Sequence, residues 1–427
     1  MKVFWFVNGM LPEFSAALER PVGNTGGWMP SLVSAIRKFA SNISLYILCE
    51  ADEDYRAEVN GTHYFSFKTI NQGPRWKRSG HAAFVKKLHA LMNEIHPDVI
   101  HCHGTENGYL DFPAEVFGTI PICVSLQGII NGYYPHYMGG LTARQLKPYR
   151  NVLRNILTGH DLEFVADSWR KNVSLREVRC LEKAKCVMGR TDWDRSWAKV
   201  LAPNAVYHHV GEVLRPEFYS VERDERKVVP HSIVASAALK YPLKGGHWLL
   251  EAVSYLKKDY PDITVRFVDA KRVISPTSMV DKLRMTEYHK YIRQRIGELG
   301  LMGNVVLLSS LDAGGVVEQL KTAEVFCLPS LIENSPNSLG EAQLVGVPCV
   351  ATDVGGNSSM VDNECTGLLV PSGDAASLAC GIARLFEDHD LSRNMAKKAK
   401  AAALFRHAED VIVGDLVNCY NEVSGYA

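Results

Sequence analysis

The chain has 427 residues, with 47 basic and 47 acidic side chains and an apolar share of 46%. One hydrophobic core rarely grows beyond about 250–300 residues, so this length calls for two domains. Zero net charge argues against a nucleic-acid binder, and no stretch approaches the roughly 18 consecutive apolar residues of a membrane span.

Met1 to Gly9 carry one charge and then a short apolar run, Phe4–Val7. That run is too short for a signal-peptide core and reads as a buried first strand. A cytoplasmic protein is expected, with peripheral contact at the inner face of the membrane left open. The loop Asn24-Thr25-Gly26-Gly27-Trp28-Met29-Pro30 leads into a helix from about Trp28, where Leu32, Val33, Ile36 and Phe39 share one face. Ile43–Leu48 is the next strand, Phe84–Ile95 a helix, and Asp98–His101 and Ile122–Leu126 are strands.

The pattern then restarts. Ser232–Ala237, Ile263–Val268, Val305–Leu308, Val325–Leu328 and Cys349–Thr352 read as strands, and Gly246–Lys257, Glu287–Leu299 and Gly315–Thr322 as helices. Such alternation predicts α/β architecture: two doubly wound, parallel-sheet, Rossmann-like domains facing a cleft. The expected domains are 1–212 and 228–407. The segment 212–230, with its charged run Glu222-Arg223-Asp224-Glu225-Arg226-Lys227, is expected to be an exposed linker.

Ten cysteines are scattered singly and form no Cys-x-x-Cys pair. Several lie in strand-like runs. They imply buried, reduced thiols in a reducing compartment and neither a disulfide scaffold nor a zinc site.

Four segments carry candidate chemistry. In the first, Glu333-Asn334-Ser335-Pro336-Asn337-Ser338-Leu339-Gly340-Glu341 follows the apolar strand Val325–Leu328. Ser335 is placed as the N-cap and Pro336 as the first helical residue. The amides of Asn337 and Ser338 would then suit a phosphate. Two carboxylates beside an anion site make sense where hydroxyls accompany the anion, as in a sugar nucleotide. A lone helix-start glutamate is more often a surface residue complementing the helix dipole. The second segment is Tyr241-Pro242-Leu243-Lys244-Gly245-Gly246-His247, where Lys244 at a strand's carboxyl end is a candidate phosphate partner; a surface lysine in a glycine-rich turn is the plainer alternative.

The third is the Gly26-Gly27 loop, whose backbone can approach a ligand closely; a flexible, capped loop is the plainer alternative. No Gly-x-Gly-x-x-Gly follows the first strand, which argues against a dinucleotide oxidoreductase. The fourth pairs His103, in Pro97-Asp98-Val99-Ile100-His101-Cys102-His103-Gly104, with Gln127, in Ser125-Leu126-Gln127-Gly128. Both fall at strand carboxyl ends, whereas His101 reads as structural. Basic clusters at Arg75-Trp76-Lys77-Arg78 and at Arg144, Lys147, Arg150 and Arg154 read as solvated surface, with contact to anionic lipid or a lipid-linked diphosphate as the alternative.

The first of these segments resembles the Glu-x7-Glu motif of retaining glycosyltransferases of family 4, which have the GT-B fold. Gly346-Val347-Pro348-Cys349-Val350-Ala351-Thr352-Asp353-Val354-Gly355-Gly356 and Gly367-Leu368-Leu369-Val370-Pro371-Ser372-Gly373-Asp374 extend the resemblance. It implies that Glu333 lies against the donor sugar and Glu341 binds the donor ribose. It further implies that Lys244 neutralises the donor diphosphate, that Gly26 and Gly27 approach the donor phosphate and the acceptor, and that His103 and Gln127 contact sugar or acceptor.

This chain departs from the family's pattern in three places. Pro336 stands inside the motif, Gln127 stands where many members carry histidine, and Lys240 stands near the place of an upstream arginine. The resemblance further implies a last helix, about Ala408–Val423, that crosses back to the N-terminal domain. The implied activity is retaining transfer from a nucleoside-diphosphate sugar to a saccharide or lipid-linked acceptor, in polysaccharide or glycoconjugate synthesis, without cofactor or metal. The alternative is a non-catalytic nucleotide-sugar or carbohydrate-binding protein on the same scaffold.

Overall fold

The structure is a computed structural model and describes residues 1–21, 27–68, 80–106, 109–112, 114–150 and 161–425. It divides into two compact units. The first comprises Met1–Ile130, Val173–Val213 and His407–Ala427, and the second Asn131–Asn172 and Leu214–Arg406.

The described strands of the first unit are β1 (Lys2–Val7), β2 (Ser44–Ala51), β3 (Tyr55–Val59), β4 (Thr62–Lys68), β5 (Val99–His103), β6 (Ile122–Ser125), β7 (Cys186–Gly189) and β8 (Val206–His209). They form one sheet in the order β3-β4-β2-β1-β5-β6-β7-β8. All neighbours pair in parallel except β3, which runs antiparallel to β4 at the edge. The expected parallel sheet thus carries one antiparallel strand at its edge. Tyr55–Val59 alternates half-buried and exposed residues because only one face of this edge hairpin is covered.

Residues Val3 to Val7 of β1 are all buried, because both faces of the sheet are covered. Val3, Trp5 and Val7 enter the apolar layer shared with helix α1 (Trp28–Phe39). Phe4 and Phe6 enter the opposite layer, shared with α2 (Gly80–Ile95). The strand's period of two thus divides its side chains between the layers. The last helix of the chain, Glu409–Ser424, adds Ile412, Leu416, Cys419 and Tyr420 to the α1 layer. Trp5 Nε1 donates to Tyr420 Oη at 3.0 Å, and that hydroxyl meets His101 Nδ1 at 2.6 Å.

The second unit contains β9 (Ser232–Ser236), β10 (Thr264–Val268), β11 (Val305–Leu307), β12 (Val325–Leu328), β13 (Cys349–Thr352) and β14 (Leu368–Val370), parallel throughout and ordered β11-β10-β9-β12-β13-β14. The order reverses between β9 and β12, and ligands of such sheets bind outside the carboxyl ends at that switch point. In the first unit the corresponding reversal lies between β1 and β5.

Two boundaries differ from expectation. Residues 131–172, counted with the first domain from sequence, group with the second unit. Trp248 Nε1 donates to the Gly139 carbonyl at 3.2 Å, and the amide of Leu162 donates to Glu287 at 2.9 Å. The segment 212–230 is also not a plain exposed linker. Leu214 and Phe218 are fully buried in the second unit's apolar core, and Arg223 donates to the Ala323 carbonyl.

Candidate active site

In the second unit, the turns that leave β9 and β12 approach one another at backbone contact. Gly245 has φ +70°, and a Cβ there would lie 1.8 Å from the Pro329 carbonyl oxygen. Only glycine fits that approach without displacing the chain. The Leu331 amide donates to the Leu243 carbonyl at 2.8 Å and ties the two turns together. As a result Lys244 Nζ donates to Glu333 Oε1 at 2.7 Å, and the Ser330 hydroxyl donates to the same oxygen at 2.7 Å. Glu333 is buried, whereas the Lys244 side chain is 28% exposed, so the ammonium is reachable from solvent.

From the other side, Gly355 presses on the Glu333 main chain. Its φ is +52°, and a Cβ would come within 1.9 Å of the Glu333 carbonyl oxygen. That oxygen accepts from the Gly356 amide at 3.0 Å. The Gly355-Gly356 pair therefore holds the Glu333 turn in place.

Helix α3 (Asn337–Val345) follows directly. Pro336, in extended conformation, is its N-cap and Asn337 its first residue. This shifts the expected cap by one residue. Asn337 and Ser338 supply the first helical amides, ahead of the first intrahelical acceptor, which serves Leu339 and Gly340 through the Pro336 carbonyl.

Glu341 lies inside this helix, buried. Arg215 grips it with two parallel bonds, Nε to Oε1 at 2.7 Å and Nη2 to Oε2 at 2.8 Å. Burial raises the Glu341 carboxyl above its ordinary range, with Arg215 acting in the opposite direction. Arg215 also packs over the Phe218 ring at 4.7 Å. Sequence reasoning missed Arg215, because it lies in the stretch read as a linker; the apolar Leu214 and Phe218 beside it were the available signal.

Lys240 stands apart from Glu333 in its bonding. Its ammonium is 3.5 Å from Asp269, and both side chains are more than two-fifths exposed. It lines a cavity of about 370 Å³ with Tyr137, Trp169, Leu243 and Tyr288.

The first unit holds the remaining candidates. Gly27 directly precedes α1, and its carbonyl accepts from Ser31 at 3.3 Å. Gly26, the basic cluster at 75–78 and Arg154 lie outside the described residues. His103 ends β5, buried, with ring centroids 4.4 Å from Trp5, 3.9 Å from His101 and 5.6 Å from Trp28. Burial, with a smaller contribution from the charges of His101 and Arg190, holds its pKa well below the ordinary value, so the ring is neutral. Among the described residues neither ring nitrogen has a hydrogen-bond partner.

His101 is structural, as expected: its nitrogens meet Tyr420 Oη and, at 2.7 Å, Ser125 Oγ. Gln127 follows β6, with Cγ 3.4 Å from where a Cβ on Gly104 would sit. Glu106 folds back over the same glycine; its carboxyl is hydrogen-bonded to Asn8 and the Gly128 backbone, while among the described residues its Oε2 is buried without a partner. Burial raises its carboxyl pKa. No sequence signal had singled it out.

Two α/β units built on largely parallel sheets make a fold of the GT-B type. A sucrose-phosphate synthase from Thermosynechococcus elongatus superposes with a TM-score of 0.73 at 15% identity, covering 100% of both chains. Anabaena HepE, solved in complex with UDP and glucose, gives 0.66 at 17% identity over 99% of this chain and 100% of that one.

Residues 222–402 match the family model for glycosyl transferases group 1. A D-inositol 3-phosphate glycosyltransferase from Corynebacterium urealyticum is 30% identical over 181 residues, 42% of this chain and 41% of its own. The UDP-Gal:alpha-D-GlcNAc-diphosphoundecaprenol alpha-1,3-galactosyltransferase of Escherichia coli is 38% identical over 73 residues, 17% of this chain and 19% of its own. The chain thus spans less than half the length of the curated relatives it matches. Among the described residues, no helix is long and apolar enough to cross a membrane.

Proposed function

We propose that the chain is a retaining glycosyltransferase that moves a sugar from a nucleoside-diphosphate donor to an acceptor hydroxyl. The observation that carries this reading is the Lys244–Glu333 pair at the switch point, beside the first amides of α3, within a region that matches group 1 glycosyl transferases.

Breaking the bond between sugar and diphosphate leaves negative charge on the leaving phosphate. Lys244, partly exposed, and the amides of Asn337 and Ser338 are assigned to that charge. This assignment gives the transfer step a metal-independent means of stabilising the leaving group. Glu333 orients the Lys244 ammonium, and its carboxylate is assigned to the positive charge that develops on the sugar carbon. It is not assigned as a covalent nucleophile. The incoming hydroxyl attacks from the face the diphosphate leaves, and the departing phosphate takes its proton. Glu341, held by Arg215, is assigned to the donor ribose. His103 and Gln127, with neutral hydrogen-bonding groups, are assigned to sugar or acceptor hydroxyls.

Uridine diphosphate sugars are the first donors to test, since one similar structure holds UDP and glucose. The acceptor proposed is a saccharide or lipid-linked saccharide, in surface polysaccharide or glycoconjugate synthesis. The test is a thermal-shift screen of nucleoside diphosphates and their sugars, because a ligand that binds only the folded state raises its stability. A rise with one nucleoside diphosphate that is lost in Lys244→Ala supports the donor site. A rise undiminished in that variant would refute it.

A further inference from the structure

The sequence scatters its cysteines, but the fold gathers three of them in the first unit. Cys123 in β6 and Cys186 in β7 are direct register neighbours, and Cys419 projects from the last helix onto them. All three are fully buried, and their sulfurs lie within 4.8 Å of one another. Cys186 Sγ and Cys419 Sγ are 3.1 Å apart. Among the described residues, no other three such ligand groups converge in this way.

We propose that Cys123, Cys186 and Cys419 form a structural site for a thiophilic d10 divalent ion of the zinc type, with His208 as the fourth ligand.

Spacing supports the three sulfurs. Zinc–sulfur bonds of about 2.3 Å at tetrahedral angles put sulfurs about 3.8 Å apart. The Cys186–Cys419 pair opens by less than about 1 Å to reach that value.

His208 meets the requirement for a nitrogen donor. Val206 is the register partner of Cys186, and His208 is two residues on, so its side chain lies on the same sheet face beneath the same helix. Among the described residues its buried Nε2 has no hydrogen-bond partner and lies 3.7 Å from Glu422, one helical turn past Cys419.

Charge is also accommodated. Binding releases three thiol protons to solvent, and three thiolates with a divalent ion carry one negative charge. Lys185 precedes Cys186, and its ammonium donates to the Val423 carbonyl at 3.2 Å, so a cation stands at the end of the same helix. Cys123 and Cys186 lie near the amino ends of their strands, whereas His103 and Gln127 lie at carboxyl ends. The site therefore serves structure, joining the last helix to two strands, and takes no part in transfer.

The experiment uses the full-length chain without a histidine tag, produced in zinc-supplemented medium, with metal content measured after gel filtration. Close to one zinc per chain is expected. Refolding with cobalt(II) should give sulfur-to-cobalt charge-transfer absorption and the d–d bands of a tetrahedral site. Cys419→Ala should lower zinc content about tenfold, whereas Cys327→Ala, at a buried thiol of the second unit, should leave it unchanged. His208→Ala should keep the charge-transfer absorption and alter the d–d bands; unaltered bands would overturn the assignment of His208. Should Cys419→Ala fail to fold, the wild type decides the matter, since a mercurial that titrates the thiols must release zinc in step. Folded wild type with no zinc and no cobalt charge transfer overturns the proposal. So does an unreduced chain lighter by two hydrogens with a Cys186–Cys419 peptide, because the cluster then closes as a disulfide.

Discussion

In the first unit, the residue that ends the strand beside the switch point is His103, buried, neutral and aromatic in its surroundings. At the equivalent place in the second unit stands a charged pair, Lys244 and Glu333, followed by α3, in whose second turn Glu341 is gripped by Arg215. The parallel strands of both units follow the same order. The scaffold therefore does not dictate the chemistry at its carboxyl ends; the turn residues do. A neutral ring with open donor and acceptor capacity suits a hydroxyl. A cation beside helix amides suits a diphosphate.

The contrast can be broken most strongly at the charged pair. Lys244→Ala is expected to cut transfer by about 10²–10³, the usual effect of removing one stabilising donor from a developing oxyanion. Steady-state kinetics on folded protein checks this. Glu333→Gln should lower turnover in the same direction. His103→Ala should act mainly on acceptor KM, since a neutral contact to a hydroxyl contributes about 0.5–1.5 kcal/mol.

Arg215→Ala should come next, with a stability loss of about 1.5–3 kcal/mol in urea unfolding. It leaves Glu341 buried without its cation, and donor KM should rise as well. The double variant Arg215→Met/Glu341→Gln should recover part of the stability, because no buried charge is then left unpaired.

Gly245→Ala should cost about 1–3 kcal/mol. The methyl group meets the Pro329 carbonyl, so the loss should be accompanied by weaker donor binding as the Lys244 turn moves. Gly297→Ala is the control, since a Cβ there meets nothing within 4 Å.

Acid should separate the two units more gently. Burial lowers the His101 pKa from its ordinary 6.5 to about 3 and that of His247 to about 4. Both folded-state values lie below the unfolded ones, so the unfolded chain takes up protons first. Their contribution is complete above about pH 6.5 and is lost as pH falls toward the folded values, at about 1.4 kcal/mol per unit for each group. The first unit, which also holds His103, should weaken more steeply. Urea midpoints measured between about pH 7 and pH 4 test this, and His101→Gln should flatten the slope.

Much of the fold was legible because buried parallel strands are short continuous apolar runs and their covering helices repeat near 3.6 residues. Val325–Leu328 and Cys349–Thr352 read as strands for this reason and fold as such. The hairpin Tyr55–Val59 and Thr62–Lys68 was missed, since an edge strand with Arg56 and Glu58 facing out carries no such run. Residues 131–172 hold no long periodic segment, and their grouping depends on distant contacts such as that of Trp248 with Gly139.

Of the candidate site, Lys244 and Glu333 were legible as separate motifs, and the fold brings them to 2.7 Å. Lys240, near the place of the upstream arginine, pairs with Asp269 at 3.5 Å. Arg215 and the cluster of Cys123, Cys186 and Cys419 could not be read from spacing, because each joins residues more than a hundred positions apart or adjacent only through strand register.

The central claim is that Lys244 and Glu333 serve one nucleoside-diphosphate sugar. It is tested most directly by measuring nucleoside-diphosphate release and product formation across a panel of such donors and candidate acceptors. The account predicts acceptor-dependent release with one donor, strongly reduced in both Lys244→Ala and Glu333→Gln. Full turnover in both variants, with the fold intact, would contradict it.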